Sequence, residues 1–331
     1  MRGICRVKIK NSRNSYQFEL RRNITILKGE SGRGKTTLYD MIRDYNSFGR
    51  ESGVSISCDK SILTLEGKDW EDNLTKIENS IVVIDEDSKF VRTKDFADRV
   101  DGSSNYFLII TRNYLAQLPY SVEEIYELQG EKNKKFRKVY SEIYRMYDNP
   151  YKGALPFLPE VIITEDEKSG YQFFRNVSED NNINCISAGG KSNILRILKE
   201  NDKKDVVIIA DGAAIGAEIE DLVNKQRLSN RKIAIFLPES FEWLILKSGI
   251  IGNIDKNKID VPYDNIDSEK FVSWERYFTD LLIKNTKENK YMKYEKSHLS
   301  DFYLQDANVE KIKNVINGIK FNNGKGQNEN K

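Results

Sequence analysis

The octet from Gly29 to Thr36 constrains the fold of this chain more than any other feature. It reads Gly29-Glu30-Ser31-Gly32-Arg33-Gly34-Lys35-Thr36, which is the pattern G-x-x-x-x-G-K-[ST]. Such a loop directs backbone N–H groups at phosphates, its lysine reaches the β- and γ-phosphates, and its hydroxyl residue binds Mg²⁺. The apolar run before the octet predicts a buried strand, and the residues after it predict a helix whose N-terminus favours anions. We therefore predict that the octet and Thr37 bind ATP, and that Thr36 binds Mg²⁺. The alternative is a glycine-rich turn that matches by chance.

A second candidate element lies downstream, where the apolar run Ile81-Val82-Val83-Ile84 ends in Asp85 and Glu86. Buried parallel strands have this composition, and ligands bind at their carboxyl ends. Asp85 is expected to hold Mg²⁺ as a Walker-B acid, and Glu86 to polarise a water for attack on the γ-phosphate. The alternative is an ordinary strand that ends in a solvated acidic loop. Next to a P-loop, the paired acids favour a hydrolase over a small-molecule kinase.

A third strand is predicted at Tyr106–Ile110, followed by Thr111-Arg112-Asn113. Polar residues at this strand end sense the γ-phosphate in many ATPases, and Thr111 and Asn113 have suitable side chains. Either residue could instead cap the N-terminus of a helix. The sequence leaves both interpretations open.

Composition narrows the classes of partner and metal site. The chain has 331 residues with 53 basic and 51 acidic side chains, so its net charge of +2 demands no nucleic acid. No apolar run approaches the ~20 residues of a membrane helix, and the N-terminus lacks the apolar region of a signal peptide. The widely spaced cysteines form neither a metal pattern nor a disulfide framework, which predicts a reducing cytoplasm. With a single histidine, His298, any metal is expected to be bound by oxygen, as Mg²⁺ or Mn²⁺.

The chain is predicted to form two α/β domains. An alternating hairpin precedes the P-loop strand, and further strand patterns follow it, so residues 1–148 are assigned to a P-loop ATPase domain. Prolines and glycines cluster in a predicted linker at 149–160. Strand and helix patterns alternate again over 161–262. A helical C-terminal region is predicted at 263–320, and a polar, disordered tail at 321–331.

The first domain resembles the heads of ABC-type ATPases in its hairpin and in both nucleotide motifs. That family carries a Leu-Ser-Gly-Gly sequence before the Walker-B strand, with which it clasps the partner's ATP. Nothing similar lies between Thr37 and Ser80. The resemblance therefore implies a minimal ATPase, without implying a head-to-tail ATP dimer.

Two acids follow separate apolar runs in the second domain. Glu165 comes after Val161–Thr164, and Asp211 comes after Val206–Ala210. At the ends of neighbouring strands, such carboxylates can hold Mg²⁺ and polarise a phosphodiester, so both are candidate metal ligands and catalytic residues. The alternative is that they are solvated acids at strand ends. Gly190-Lys191-Ser192 does not make a second P-loop, because Cys185 stands where the first glycine is needed.

The order of elements in the second domain resembles the Toprim fold. That family has a glutamate after its first strand and Asp-x-Asp after its third, and these acids bind Mg²⁺ for strand cleavage or rejoining. Glu165 and Asp211 match the first two acids, but Ala213 stands at the third. The candidates to replace the missing acid are Glu167, Glu218, Glu220 and Glu239.

A P-loop head followed by a Toprim-like domain resembles the overcoming-lysogenization-defect (OLD) nucleases and the ATPase and Toprim pair of PARIS anti-phage systems. The resemblance implies an ATPase that gates a Mg²⁺-dependent nuclease, in anti-phage defence or in a mobile element. It makes DNA or RNA, a homo-oligomer and a partner protein candidate partners, and it implies no membrane. The alternative is a nucleotide-operated switch whose Toprim-like domain is an inactive binding module. A P-loop kinase is disfavoured by Asp85 and Glu86 and by the absence of an arginine-rich lid.

Two lysine-rich stretches with interleaved aromatic residues, 132–138 and 284–296, could contact phosphates and stack on bases. Most runs of this kind are solvated faces, and the sequence does not decide between the two interpretations.

Overall fold

The computed structural model describes residues 1–29, 32–133, 138–147, 157–179 and 181–316. Glu30, Ser31, most of the predicted linker and the predicted tail lie outside these ranges. The chain divides into two compact α/β units, Met1–Asp148 with Asp260–Trp274, and Asn149–Ile259 with Glu275–Lys331. The segment Asp260–Trp274, which straddles the predicted boundary at 262, clusters with the first unit.

The first unit contains strands β1 to β9 and helices α1 to α3. The strands are β1 Cys5–Lys10, β2 Asn14–Leu20, β3 Ile24–Lys28, β4 Ser55–Ser57, β5 Ile62–Thr64, β6 Ile81–Ile84, β7 Tyr106–Ile110, β8 Ile125–Asn133 and β9 Lys138–Arg145. The helices are α1 Lys35–Phe48, α2 Trp70–Leu74 and α3 Lys94–Val100. Short 3-10 helices lie at Gly49–Ser52, Lys89–Arg92, Val122–Glu124 and Pro262–Asp264.

These strands form one mixed sheet in the order β4-β1-β2-β9-β8-β3-β7-β6-β5. Strand β3 lies between β7 and β8 and is parallel to both, while β6 is parallel to β7 and β5. The carboxyl ends of β3, β5, β6 and β7 therefore share one edge of the sheet. One strand, β7, separates the strand that enters the P-loop from the strand that ends before Asp85.

The predicted hairpin, β1 paired with β2, reaches the parallel strands only through β9. Strand β2 is parallel to β9, and β9 is antiparallel to β8. No strand is predicted from the sequence where β9 lies, at Lys138–Arg145. The reason is that its polar residues hide the alternation, in which Ser141 is buried and Glu142 is exposed. The centre of the lysine-rich stretch 132–138, at 134–137, lies outside the described residues.

Helices cover both faces of this sheet. Leu38, Met41 and Ile42 of α1 belong to one buried cluster together with residues of β1, β3, β6 and β7. On α3, Phe96 packs edge-to-face on Phe107 of β7, with ring centroids 5.8 Å apart. The spacing of apolar residues on α1, at three and four residues, accounts for its packing against the sheet.

A buried carboxylate, Glu124, anchors the segment before β8. Its residue is fully buried, its Oε2 accepts a hydrogen bond from the Thr25 hydroxyl at 3.3 Å, and its Oε1 lies 3.6 Å from Nε of Arg22. Burial raises the pKa of Glu124 from 4.5 to about 7, although Arg22, Arg145 and Arg21 oppose the change. Between pH 4.5 and about pH 7, the folded state therefore keeps the Glu124 carboxyl group protonated, whereas the unfolded chain releases this proton.

We predict that this group makes stability fall as pH rises. Its contribution is complete below the unfolded pKa of 4.5 and is lost by about pH 7, a change of roughly 3 kcal/mol. Glu124→Gln removes this titration, so urea denaturation followed by tryptophan fluorescence should show wild type losing stability relative to the variant between pH 5 and 7. A difference that stays constant over pH 5–8 would contradict the assignment.

The second unit contains strands β10 to β13 and helices α4 to α11. The strands are β10 Val161–Thr164, β11 Asn184–Ser187, β12 Val206–Ile209 and β13 Ile233–Phe236. The helices are α4 Ser169–Glu179, α5 Ile194–Glu200, α6 Ile219–Arg227, α7 Phe241–Lys247, α8 Asn257–Asp260, α9 Trp274–Thr286, α10 Asp301–Leu304 and α11 Asp306–Val315, and a 3-10 helix lies at Lys191–Asn193.

These strands form a parallel sheet in the order β11-β10-β12-β13. Strands β10 and β12 are neighbours, with Thr164 paired to Ile209, so Glu165 and Asp211 follow adjacent strand ends. Residues of β10, β12 and β13 form a buried cluster with α5 and α6, and Phe173 and Phe174 of α4 are buried. The apolar stripe of α9 is buried as well, at Trp274, Tyr277, Phe278, Leu281 and Leu282.

Among the helices of the described residues, none combines the length and apolar character that a membrane span requires.

Candidate functional site

The predicted P-loop lies between β3, which ends at Lys28, and α1, which begins at Lys35. Gly29, Gly32 and Gly34 have φ angles of 117°, 79° and 96°, in the left-handed region that glycine adopts without strain. Gly34 is the N-cap residue of α1. A Cβ at Gly34 would lie 3.0 Å from the Tyr16 hydroxyl, which donates a hydrogen bond to the Gly34 carbonyl at the same distance. A tyrosine of the hairpin therefore supports the loop, and position 34 requires glycine.

Lys35 is the first residue of α1, and its residue is almost completely buried. Its Nζ donates a hydrogen bond to the Gly29 carbonyl at 2.6 Å, so the side chain reaches back across the loop. Burial lowers the pKa of Lys35, and nearby Arg112 lowers it further, while Glu86 and Glu127 raise it. Glu86, which follows β6, is therefore close enough to interact electrostatically with the ammonium group.

Acidic side chains gather where β6 ends. Asp85 is half-buried, and its pKa is raised by burial and by the nearby carboxylates of Asp87, Glu86 and Asp40. Glu86 forms an ion pair with Arg112, with Nε and Oε1 2.9 Å apart. Carboxylate oxygens are the ligands that Mg²⁺ prefers, so Asp85 has the chemistry of a Mg²⁺ ligand. Thr36, the other predicted ligand, is exposed one residue after Lys35.

The loop after β7 contradicts one of the two predictions for Thr111 and Asn113. Thr111 is buried, and its hydroxyl oxygen accepts a hydrogen bond from the Asn113 backbone N–H at 2.9 Å. No helix of the described residues starts here, and the next helical turn begins at Val122, so the helix-cap interpretation is wrong. Instead, the turn positions the residue between them, Arg112, beside Glu86.

A further acid on this edge, Glu66, was missed by the sequence analysis. It follows β5, whose partner in the sheet is β6, and its carboxylate accepts a hydrogen bond from the Tyr39 hydroxyl at 3.0 Å. Both Glu66 and Asp85 raise the pKa of Tyr39, after the larger effect of burial. The apolar run Ile62-Leu63-Thr64-Leu65 before Glu66 was the available signal, since it repeats the pattern that precedes Asp85.

In the second unit, the structure brings Glu165 and Asp211 together. The Asp211 backbone N–H donates a hydrogen bond to Oε2 of Glu165 at 3.0 Å. Burial raises the pKa of Glu165, and burial together with Glu275, Glu165 and Glu242 raises that of Asp211. The two groups therefore lie among like charges in a partly desolvated site, where a cation would relieve their repulsion.

Residues from distant parts of the unit complete this cluster. The Nζ of Lys296 donates a hydrogen bond to Oε1 of Glu275 at 2.6 Å and lies 3.7 Å from Oε1 of Glu242. The buried Tyr294 hydroxyl also donates to this Glu242 oxygen, at 2.8 Å. Burial would lower the pKa of Lys296, but Glu242 and Glu275 raise it, so the side chain stays charged. Lys296 belongs to the lysine-rich stretch 284–296, and no sequence signal indicates its contact with these acids.

The position of the missing third acid is filled by the buried Ala213. Of the candidates to replace it, Glu218 is buried and contributes to the raised pKa of Glu165, whereas Glu167 and Glu220 are exposed and Glu239 is half-buried. The Nζ of Lys191 lies 3.7 Å from Oε2 of Glu218 and donates to the Ala214 carbonyl at 3.0 Å. Lys191 therefore supports the site from the turn after β11.

A cavity of about 20 Å³ lies beside these strand ends and is lined in part by Glu165, Asp166 and Asp211. This volume suits one water-sized occupant. Among the described residues, no three His, Cys, Asp or Glu side chains form a group that could hold a metal ion. Glu165 and Asp211 are a pair of oxygen donors rather than such a group.

Gly212 allows Asp211 to approach the neighbouring strand closely. A Cβ at this position would lie 2.7 Å from the Leu237 carbonyl oxygen and 3.0 Å from that of Pro238, and both are backbone atoms. We predict that Gly212→Ala lowers stability by about 1–3 kcal/mol, as overpacking does, and displaces Asp211. Thermal denaturation should show the loss. Gly252→Ala is the control, because a Cβ there meets nothing within 4 Å, and equal melting temperatures for the two variants would contradict the argument.

No protein-family model matches the chain, and no curated protein is significantly similar to it in sequence.

Proposed function

We propose that this chain is an ATPase whose P-loop unit gates a Mg²⁺-dependent, Toprim-like nuclease in its second unit. The observation that carries the ATPase half is the strand order: Lys35 begins α1 after β3, Glu86 follows β6, and only β7 lies between these parallel strands. A lysine suited to binding phosphate and a carboxylate that can act on water therefore share one sheet edge. This combination suits hydrolysis of a nucleoside triphosphate better than binding of the nucleotide without hydrolysis.

The roles in the first unit follow from chemistry and position. The backbone of the P-loop and Lys35 would bind the phosphates of ATP. Thr36 and Asp85 would hold Mg²⁺, which neutralises phosphate charge when bound. Glu86 would orient the attacking water and accept its proton.

In the second unit, Glu165 and Asp211 would hold Mg²⁺ or Mn²⁺, which polarises a phosphodiester when bound. Lys296 would add a fixed cation near the same carboxylates. The resemblance to OLD and PARIS proteins supports DNA or RNA as substrate, a cytoplasmic role in anti-phage defence or in a mobile element, and assembly with a second copy or a partner protein.

A second candidate function has its own support. Ala213 is buried where Toprim nucleases have an acid, and Lys191 and Lys296 already neutralise carboxylates around the pair. In this alternative, the second unit is an inactive binding module, and ATP operates the chain as a switch.

Incubation of the purified full chain tests these proposals. Wild type would be mixed with ATP, Mg²⁺ or Mn²⁺, and separate samples of duplex DNA, single-stranded DNA, single-stranded RNA and transfer RNA, with phosphate release measured in parallel. ATP-dependent cleavage of one substrate class supports the gated nuclease. ATP hydrolysis without cleavage in any nucleotide state supports the switch. Absence of both nucleotide binding and hydrolysis contradicts the ATPase proposal.

A further inference from the structure

Arg112 is the cation that faces the proposed catalytic carboxylate. Its Nε lies 2.9 Å from Oε1 of Glu86, and the two side chains are 51% and 31% exposed. An ion pair with this exposure is weak, contributing at most about 1 kcal/mol, so a stronger anion can displace Glu86 from Arg112.

The position of Arg112 is set by its neighbours in the chain. The Thr111 hydroxyl accepts the Asn113 N–H, which closes a small turn around Arg112. The same turn follows β7, the strand between the P-loop strand and the strand of Asp85. The guanidinium therefore has a fixed base and an exposed, adaptable end.

Lys35 begins α1 after strand β3, and Arg112 follows β7, which is parallel to β3 and pairs with it. Both cations therefore lie at the sheet edge where a P-loop lysine would contact the β- and γ-phosphates. A bound γ-phosphate would bring more negative charge than the single carboxylate of Glu86, and arginine is well suited to binding phosphate. ADP lacks this group and would leave the ion pair unchanged.

We propose that Arg112 distinguishes ATP from ADP: it holds Glu86 when no γ-phosphate is present and transfers to the γ-phosphate when ATP binds. The transfer releases Glu86 to orient the attacking water, so Arg112 is a positioning residue for the base. This inference rests on the proposed ATPase function. Glu86 would then be free to act as a base only when a triphosphate is bound.

The test measures the binding of two nucleotides by calorimetry: ADP, and a non-hydrolysable ATP analogue that has an imido group between its β- and γ-phosphates. The proteins compared are wild type, Arg112→Ala, Arg112→Lys and the exposed control Arg92→Ala. Losing a charge-assisted hydrogen bond should weaken binding of the analogue by about 10- to 100-fold in Arg112→Ala, with ADP affinity within about twofold. Arg112→Lys should recover part of the loss, and Arg92→Ala should match wild type. A merely structural role would weaken both nucleotides equally.

A double-mutant cycle tests the competition between Glu86 and the γ-phosphate. Glu86→Gln weakens the ion pair, so the analogue should bind about two- to fivefold more tightly, the factor that an exposed pair is worth. In an Arg112→Ala background, the same change should have no effect. Additive effects, or equal losses for ADP and the analogue in Arg112→Ala, would overturn this inference alone. If wild type binds neither nucleotide, the ATPase proposal fails with it.

Discussion

Replacing Lys35 with alanine is expected to weaken ATP binding by roughly 30- to 5,000-fold, which corresponds to about 2–5 kcal/mol. The side chain is buried, donates a hydrogen bond to the Gly29 carbonyl at 2.6 Å and would supply the cation of the proposed phosphate site. Its loss removes that charge and also opens the loop. Calorimetric titration of ATP in the presence of Mg²⁺ measures the effect directly, and the exposed Lys76→Ala is the matched control.

Glu86→Gln provides the comparison that separates binding from hydrolysis. The amide keeps the size of the side chain but cannot accept a proton, so the hydrolysis rate should fall by about 10²- to 10⁴-fold. Binding of ATP should stay within about fivefold of wild type, because the phosphates are held by the P-loop. Equal loss of binding in Lys35→Ala and Glu86→Gln would contradict the role assigned to Glu86.

Asp211→Asn should reduce nucleic-acid cleavage by at least about a hundredfold while the ATPase rate stays within a few-fold of wild type. Asp211 lies among Glu165, Glu242 and Glu275, and neutralising it removes a carboxylate from the proposed metal site. The amide is nearly isosteric, so packing around β12 should be preserved. The exposed Asp221→Asn on α6 is the control. Cleavage that survives Asp211→Asn would place the active site elsewhere or reveal a contaminant.

Metal binding gives a readout of the same site that does not depend on cleavage. Mn²⁺ soaked into crystals should produce an anomalous peak between the Glu165 and Asp211 carboxylates, about 2.0–2.3 Å from their oxygens. If Asp211→Asn removes both the peak and cleavage, the residue acts through the metal. If wild type shows neither peak nor cleavage while ATP hydrolysis persists, the switch becomes the better account.

Coupling between the units can be tested with Glu86→Gln, which should keep ATP bound. ATP can shift an equilibrium between two arrangements only through its different affinity for each. If ATP gates the nuclease, this variant saturated with ATP should therefore cleave at a rate different from that of wild type during turnover. Identical rates with ATP, with ADP and without nucleotide would contradict gating but leave both active sites intact.

Local sequence was sufficient to predict structure where the signals for a strand, a turn and a helix lie within a few residues of one another. The buried run Ile81–Ile84, the P-loop glycines with positive φ and the buried stripe of α9 follow from apolar periodicity and from the φ freedom of glycine. The same local pattern also preceded Glu66 and could have identified it. Strand β9 was missed because a strand at a polar hairpin has little hydrophobic contrast with its turn.

Sequence patterns identified the candidate residues of each site: the P-loop, Asp85 with Glu86, and Glu165 with Asp211. The cations that face those acids became visible only in the folded chain. Arg112 reaches Glu86, and Lys296 enters the cluster around Asp211, more than eighty residues away in sequence. The physical reason is that strand order and long-range packing set such pairings, and a charged side chain has no periodic pattern that reveals its partner. The turn around Thr111 likewise shows which of its three polar residues points toward the site.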